Sequence, residues 1–337
     1  MSISVALCTY NGERFLRDQL DSIAAQTLLP AELVVCDDRS QDGTLDILEE
    51  FKNRVPFPVA IHLNEKNLGS TRNFEKAIGL CSGEFIALSD QDDVWKPHKL
   101  ERLMEAFQEH PEAGYVFSDA ELVDEQLQPL PHSLWDSIGF RGAIRERFDK
   151  GEQVPCFARQ HIVTGATMTF RASVGRMAMP FPTEGNWIHD GWIALVSSAT
   201  GSPGIPVDET LVSYRQHSNQ QIGAPDPLEK MDSKSLLSMY QELKSNQQFL
   251  FAAWEKHCLQ ILKLKDILNQ LKGSHPSSAL DHNLKYFKEF ETHFIARKKI
   301  LTSKGLGRYR LILREAFSGR YAQFSDSWRS VFRDLFL

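Results

Sequence analysis

"FIALSDQDDVWKPHK" occupies Phe85–Lys99, and its reading decides the fold. Phe85–Ser89 is an unbroken, largely apolar run of strand length, the pattern of a strand buried on both faces. It ends on Asp90, Asp92 and Asp93, three carboxylates within four positions. Mutual repulsion and lost hydration make such a cluster costly unless a cation offsets it. A hard divalent ion, Mg2+ or Mn2+, takes one or two protein carboxylates and leaves its other positions to water and phosphate oxygens. The spacing alone equally admits a helix cap, Asp92 or Asp93 ahead of a helix opening near Pro97, with the other acids solvated.

Outward from this run, short apolar stretches alternate with amphipathic ones. Ser4–Cys8 (SVALC) reads as a buried strand, and Arg14–Ala25 places Phe15, Leu16, Leu20 and Ile23 at helical spacing. Glu32–Cys36 is a second strand, ending on Asp37 and Asp38. The turn-forming "RSQDG" then leads into a helix over Thr44–Phe51. Pro58–Leu63 predicts a third strand, Ser70–Leu80 a third helix, and His98–Gln108 a helix before the strand Gly114–Ser118. Strands alternating with helices imply a parallel α/β sheet, and ligands of open sheets bind beyond the carboxyl ends of their strands. The polar residues after these strands therefore belong to one cleft.

Residues 119–160, with Pro129, Pro131 and Pro155, give no clear pattern. Val163–Phe170 reads as a strand with a glycine break, and Trp192–Ser198 as a helix just after Asp190. "GAPDPLEK" reads as a linker, and from Ser233 the pattern is helical. This places a catalytic domain over 1–224 and a helical region over 225–337.

The chain has 337 residues, 42% of them hydrophobic, enough for a full core and against disorder. Five widely spaced cysteines without a CxxC pair read as reduced thiols, not as a disulfide frame or zinc site. No basic-then-apolar leader and no run of eighteen apolar residues occurs, which argues against export and spanning and for a cytoplasmic location. The net charge of −6 is uneven, since residues 297–337 hold ten Lys/Arg against three Asp/Glu. Basic character confined to the tail disfavours nucleic acid as a partner. It suits a helix pair lying peripherally on an anionic cytoplasmic leaflet, the alternative being that the apolar face packs on the catalytic domain or on a second subunit in a homodimer.

Four motifs in order, "CTYNGERF", "VVCDDRSQDGT", "NLGSTRNFEKAI" and "LSDQDDVWKPHKL", resemble the family 2 glycosyltransferases of GT-A fold over roughly residues 2–222, which implies a Rossmann-like mixed, mostly parallel sheet with flanking helices. The resemblance implies a nucleotide-sugar donor held by Thr9, Tyr10, Glu13 and Asp38, with Gly69 and Arg72 near the cleft. Asp90-Gln91-Asp92 matches the family's Asp-x-Asp, which puts Asp90 and Gln91 at the nucleotide sugar and Asp92 on the metal. Asp93 is then a helix cap or a supporting acid. "NWIHDGWIAL" matches the acidic motif that carries the base of an inverting enzyme, with Asp190 as base and His189 where glutamate is usual. "LVSYRQHSNQQIG" offers His217 as a metal ligand and Arg215 as a diphosphate contact. Trp187, His189 and Trp192 are assigned to an acceptor or sugar wall, although core packing competes for the tryptophans.

The wording is most similar to the rhamnosyltransferase-like branch, implying dTDP-L-rhamnose as donor and a glycan or lipid-linked glycan of the bacterial surface, such as lipopolysaccharide core or O-antigen, as acceptor. The alternatives are a UDP-hexose donor, or a glycan-binding or scaffold module of the same fold without turnover.

Overall fold

The computed structural model describes residues 1–182, 188–218, 220, 223–225, 247–274, 277–325 and 328–336. Trp187 and the 226–246 part of the expected linker and helix lie outside them. The chain forms two compact units, Met1–Met231 and Asp232–Leu337.

The first unit opens with the expected alternation: β1 (Ile3–Thr9), α1 (Leu16–Ala24), β2 (Glu32–Asp37), α2 (Thr44–Lys52), β3 (Val59–Leu63), α3 (Ser70–Leu80) and β4 (Phe85–Ser89). There follow β5 (Val94–Trp95), α4 (Lys99–Glu109), β6 (Tyr115–Val123) and β7 (Pro129–Ser133). Three short helices come next, α5 (Leu134–Ile138), α6 (Gly142–Asp149) and α7 (Gln153–Phe157). A 3-10 turn at Gly165–Thr167 leads into β8 (Met168–Arg171), α8 (Ala172–Ala178), α9 (His189–Thr200) and β9 (Gly204–Arg215).

The described strands form one sheet in the order β3-β2-β1-β4-β8-β6-β9-β5, with β7 on β6. β1 to β4 are parallel, and β8 enters antiparallel between β4 and β6, which gives the mixed sheet that the GT-A resemblance implies. In the parallel half Leu7 pairs with Ser89, Thr9 with Asp37 and Asp37 with Leu63. That register aligns the carboxyl ends, so the motifs after β1, β2 and β4 share one edge.

The core is built from the apolar stripes of the helices. Leu16, Leu20 and Ile23 of α1, Leu48 and Phe51 of α2, and Leu100, Leu103 and Phe107 of α4 are all buried. Each side chain of this size contributes about 1.5–3 kcal/mol on leaving water. Phe107 meets Phe85 with ring centroids 4.6 Å apart, which seats α4 on β4.

Residues 119–160 are ordered by contacts that periodicity does not show. Buried Asp119 accepts the Trp135 N–H at 2.9 Å and pairs with Arg141 at 2.6 Å. Ser133 and Asp136 form a capping box at the start of α5, and Phe117, Trp135, Phe140 and Phe148 pack as an aromatic cluster.

The second unit contains the helices Gln247–Ser274, Ser278–Thr302, Gly305–Phe317, Arg320–Phe324 and Trp328–Phe336. Part of the basic tail is consumed inside it. Arg297 grips Asp334 at 2.6 and 2.8 Å, and Tyr321 adds a hydroxyl at 2.6 Å. No helix among the described residues is long and apolar enough to cross a membrane, and all five cysteines are free.

Candidate functional site

The strand ends bring the motifs together through internal bonds. Thr9 is buried and donates to Asp37 Oδ2 at 2.7 Å. Tyr10 is half exposed, and its backbone is clamped by Gln91, which accepts the Tyr10 N–H at 2.8 Å and donates to its carbonyl at 3.1 Å. Gln91 thus ties the end of β1 to the acidic motif after β4. Glu13, exposed on the same rim, accepts the Gly43 N–H at 2.9 Å.

Asp38 departs from its expected role. Its Oδ1 accepts the Leu68 N–H at 2.7 Å and the Asn64 amide at 2.8 Å, and its Oδ2 accepts the Gly69 N–H at 2.9 Å. The carboxylate is buried and shapes the loop before α3. Gly69 sits there at φ 77°, a backbone that side chains resist. Arg72, one turn into α3, is paired with Glu75.

The three acids of the opening motif separate by environment. Asp92 is partly exposed, and its Oδ2 lies 2.9 Å from Nε2 of His217, which packs on Phe15. Asp93 is buried and accepts the Arg215 N–H at 3.0 Å. It does not cap α4, whose cap position is His98 without a side-chain bond. Burial first, then the neighbouring carboxylates, push both Asp90 and Asp93 upward from the ordinary carboxylate range, and the Asp190 charge adds to the effect at Asp90. Asp190 therefore lies near enough to the acidic motif for its charge to be felt there.

Arg215 is not placed for a diphosphate. It is buried over the Phe15 ring at 4.5 Å and donates to the carbonyls of Asp92 and Glu125, both at 2.7 Å, and to Asp18 at 2.8 Å. Its guanidinium braces the acidic loop from behind.

Asp190 lies in the first turn of α9, two positions past the cap residue Ile188, and so is not the cap. Its Oδ2 accepts the Gly165 N–H at 2.8 Å, and His161 Nε2 stands 3.7 Å away. Burial would raise this carboxyl, but the His161 charge, His189 and the Gly191 N–H outweigh it and hold it well below its usual range. Partial burial opposes a charge on His161, whose side chain stays 41% exposed, and the Asp190 carboxylate overcomes it, so this imidazole titrates above its ordinary value.

Of the expected wall, Trp187 lies outside the described residues, and Trp192 and His189 are both buried. Trp192 is core: it is buried, and its indole N–H donates to the Ala178 carbonyl at 2.8 Å. His189 is buried too, stacked on Phe74 with centroids 4.1 Å apart, and neither ring nitrogen has a hydrogen-bond partner.

Two site residues escaped sequence reading. Lys99 is fully buried, lies over the Trp95 ring and donates to the Ala166 carbonyl at 2.6 Å, so it links the acidic motif to the turn that holds Asp190. Its signal was present, because position 99 falls on the same apolar stripe of α4 as Leu103 and Phe107. His161 had no signal; its contact with Asp190 is purely tertiary.

Among the described residues, no three His, Cys, Asp or Glu side chains gather into a metal site of their own. Asp92 and His217 supply two donors 2.9 Å apart. These two atoms are hydrogen-bonded to each other, and the same separation matches two adjacent corners of an octahedron with bonds of ~2.1 Å, so the pair would suit a Mg2+- or Mn2+-like ion that takes its remaining ligands from diphosphate and water.

The family model described as "Glycosyl transferase family 2" matches residues 4–173. An uncharacterized glycosyltransferase of Nostoc sp. is 35% identical over 237 residues, 70% of this chain and 71% of that protein. A dTDP-rhamnosyl transferase of Shigella flexneri is 25% identical over 65% of this chain and 74% of its own length. Among solved structures, residues 1–349 of S. aureus TarS in complex with UDP-GlcNAc superpose with a TM-score of 0.52 at 18% identity, covering 98% of this chain and 90% of that one.

Proposed function

The chain belongs to glycosyl transferase family 2, and on that premise we propose that it transfers a sugar, with inversion, from a nucleoside diphosphate donor to a hydroxyl of a bacterial surface glycan, free or lipid-linked. It is a glycosyltransferase of GT-A fold. The observation that carries the mechanism is the placement of Asp190, anchored by the Gly165 N–H and electrostatically coupled to the acidic motif.

In this reading the ionised Asp190 takes the proton of the acceptor hydroxyl. The acceptor oxygen forms its bond to the anomeric carbon as the bond from that carbon to the diphosphate oxygen breaks, and the diphosphate leaves with the electron pair. A carboxylate held so far below its usual range is a weak base at rest, so the proton moves as the new bond forms. Asp92 and His217 would hold the divalent ion, whose chemistry is to offset charge on the departing diphosphate. Tyr10, Glu13, Gln91 and Arg72 line the nucleotide side.

For the donor we propose dTDP-L-rhamnose, supported by the motif wording and by the rhamnosyl transferase relative. A thermal-shift and donor-hydrolysis panel of nucleotide sugars with Mn2+ and Mg2+ tests this. The expected result is the largest metal-dependent shift with dTDP-L-rhamnose. A UDP-hexose in its place reassigns the donor, and no response to any nucleotide sugar sinks the enzymatic reading in favour of a non-catalytic module.

A further inference from the structure

The second unit carries an exposed apolar surface. Its helix Gly305–Phe317 has two unlike faces. On the inner one Ile312 and Glu315 are buried, Glu315 pairing with His293 at 2.7 Å and Arg320 at 2.5 Å, while Arg308 donates to the Asp334 carbonyl at 2.6 Å. On the outer one Leu306, Tyr309, Leu313 and Phe317 are 81%, 50%, 56% and 88% exposed. Their spacing of three, four and four residues stacks them into one stripe along the helix. Four large apolar side chains in a row in water mark a binding surface.

The charge around the stripe identifies what covers it. Arg310 and Arg314 are exposed on the adjoining row, and no ion pair joins either to an acid among the described residues. Lys304 precedes the helix and is exposed as well. The helix has a single acid, Glu315, which is buried on the opposite face and already paired. We propose that this face docks on an anionic phospholipid bilayer, the helix lying in the plane of the interface. Leu306, Leu313 and Phe317 enter the boundary between headgroups and acyl chains, Tyr309 sits at headgroup level, and Arg310 and Arg314 meet lipid phosphates. A symmetric contact with a second copy is the poorer fit, because it sets the arginines of both copies against each other with no acid on the face.

Flotation of the full chain with vesicles tests this independently of the donor reading. Binding is expected to vesicles containing phosphatidylglycerol, weakened by salt, and weak or absent with phosphatidylcholine alone. Arg310→Gln with Arg314→Gln should lower phosphatidylglycerol affinity about 30-fold. Leu306→Ser with Phe317→Ser should lower it at least about tenfold. These positions are exposed, so both variants should keep the melting temperature and the donor hydrolysis of the parent. Absence of flotation with either vesicle overturns the proposal, as does flotation that the variants leave unchanged. A dimer seen by light scattering and split by the Leu306/Phe317 variant, without vesicle binding, assigns the face to a second copy instead.

Discussion

Asp190 Oδ2 accepts the backbone N–H of Gly165 at 2.8 Å, across 25 positions of sequence. The bond fixes one oxygen of the carboxylate and so orients the other lone pairs. Asp190→Asn preserves the acceptor for Gly165 and removes the base. It should lower kcat about 10²- to 10⁴-fold while leaving the donor-induced thermal shift intact. A variant that kept most of the parental kcat would remove Asp190 from the mechanism.

Asp92 and His217 should act as one unit toward a divalent ion. Chelation should stop transfer, and Mn2+ or Mg2+ should restore it. Asp92→Asn or His217→Ala should raise the Mn2+ concentration for half-maximal rate by about tenfold or more. Titration of activity against Mn2+ reads this directly, and unchanged curves would reassign both residues.

The Asp190–His161 pair predicts a pH window. The lowered Asp190 contributes stability that is complete above its unfolded value of about 4 and fades as pH falls through the folded one. The raised His161 contributes fully below about 6.5 and loses its contribution as pH rises through its folded value. His161→Gln should therefore cost most between about pH 4 and 6.5, by about 1 kcal/mol or less because the ring is solvent-screened. Denaturant midpoints of the two proteins should converge at higher pH. Loss of the cation also lets Asp190 rise, so the acid limb of the rate profile should move to higher pH in the variant.

Lys99 joins the halves of the site by its bond to Ala166. Lys99→Met leaves that buried carbonyl without its donor and should destabilise the first unit by about 1–3 kcal/mol. Urea unfolding measures the loss. A cost below about 0.5 kcal/mol, as at a surface lysine, would contradict the burial.

Arg215 and Trp192 should behave as structural residues. Arg215→Ala removes bonds to two carbonyls and Asp18 and should cost about 3 kcal/mol, with unfolding preceding any selective loss of donor affinity. Trp192→Phe should cost about 1–2 kcal/mol through the lost bond to Ala178 and leave KM for both substrates near parental. A selective rise in either KM would return these residues to the substrate.

Much of this was legible in the chain. Helix α3 and strand β4 occupy the predicted residues, and β1, β2 and α4 differ from expectation by one residue at an end or two. Periodicity and turn chemistry lie within a few neighbouring positions, so local sequence carries them. The mixed half of the sheet was less legible, because Asp119 and the aromatic cluster organise 119–160 through contacts without a period.

What the sequence by itself determined is the alternation of strands and helices, the edge on which their polar ends meet, and the acidic motif that shares it. Tertiary structure alone decided which charges are free for chemistry. Asp38 and Arg215 look like ligand contacts in the chain, yet each is occupied by backbone partners brought in from distant positions, Arg215 donating to the Asp92 carbonyl across 123 residues. Lys99 and His161 look like ordinary surface cations, yet one is buried beside the acids and the other stands against Asp190. Residue type sets what a side chain can bind, but its availability depends on desolvation and on neighbours that only the folded chain assembles.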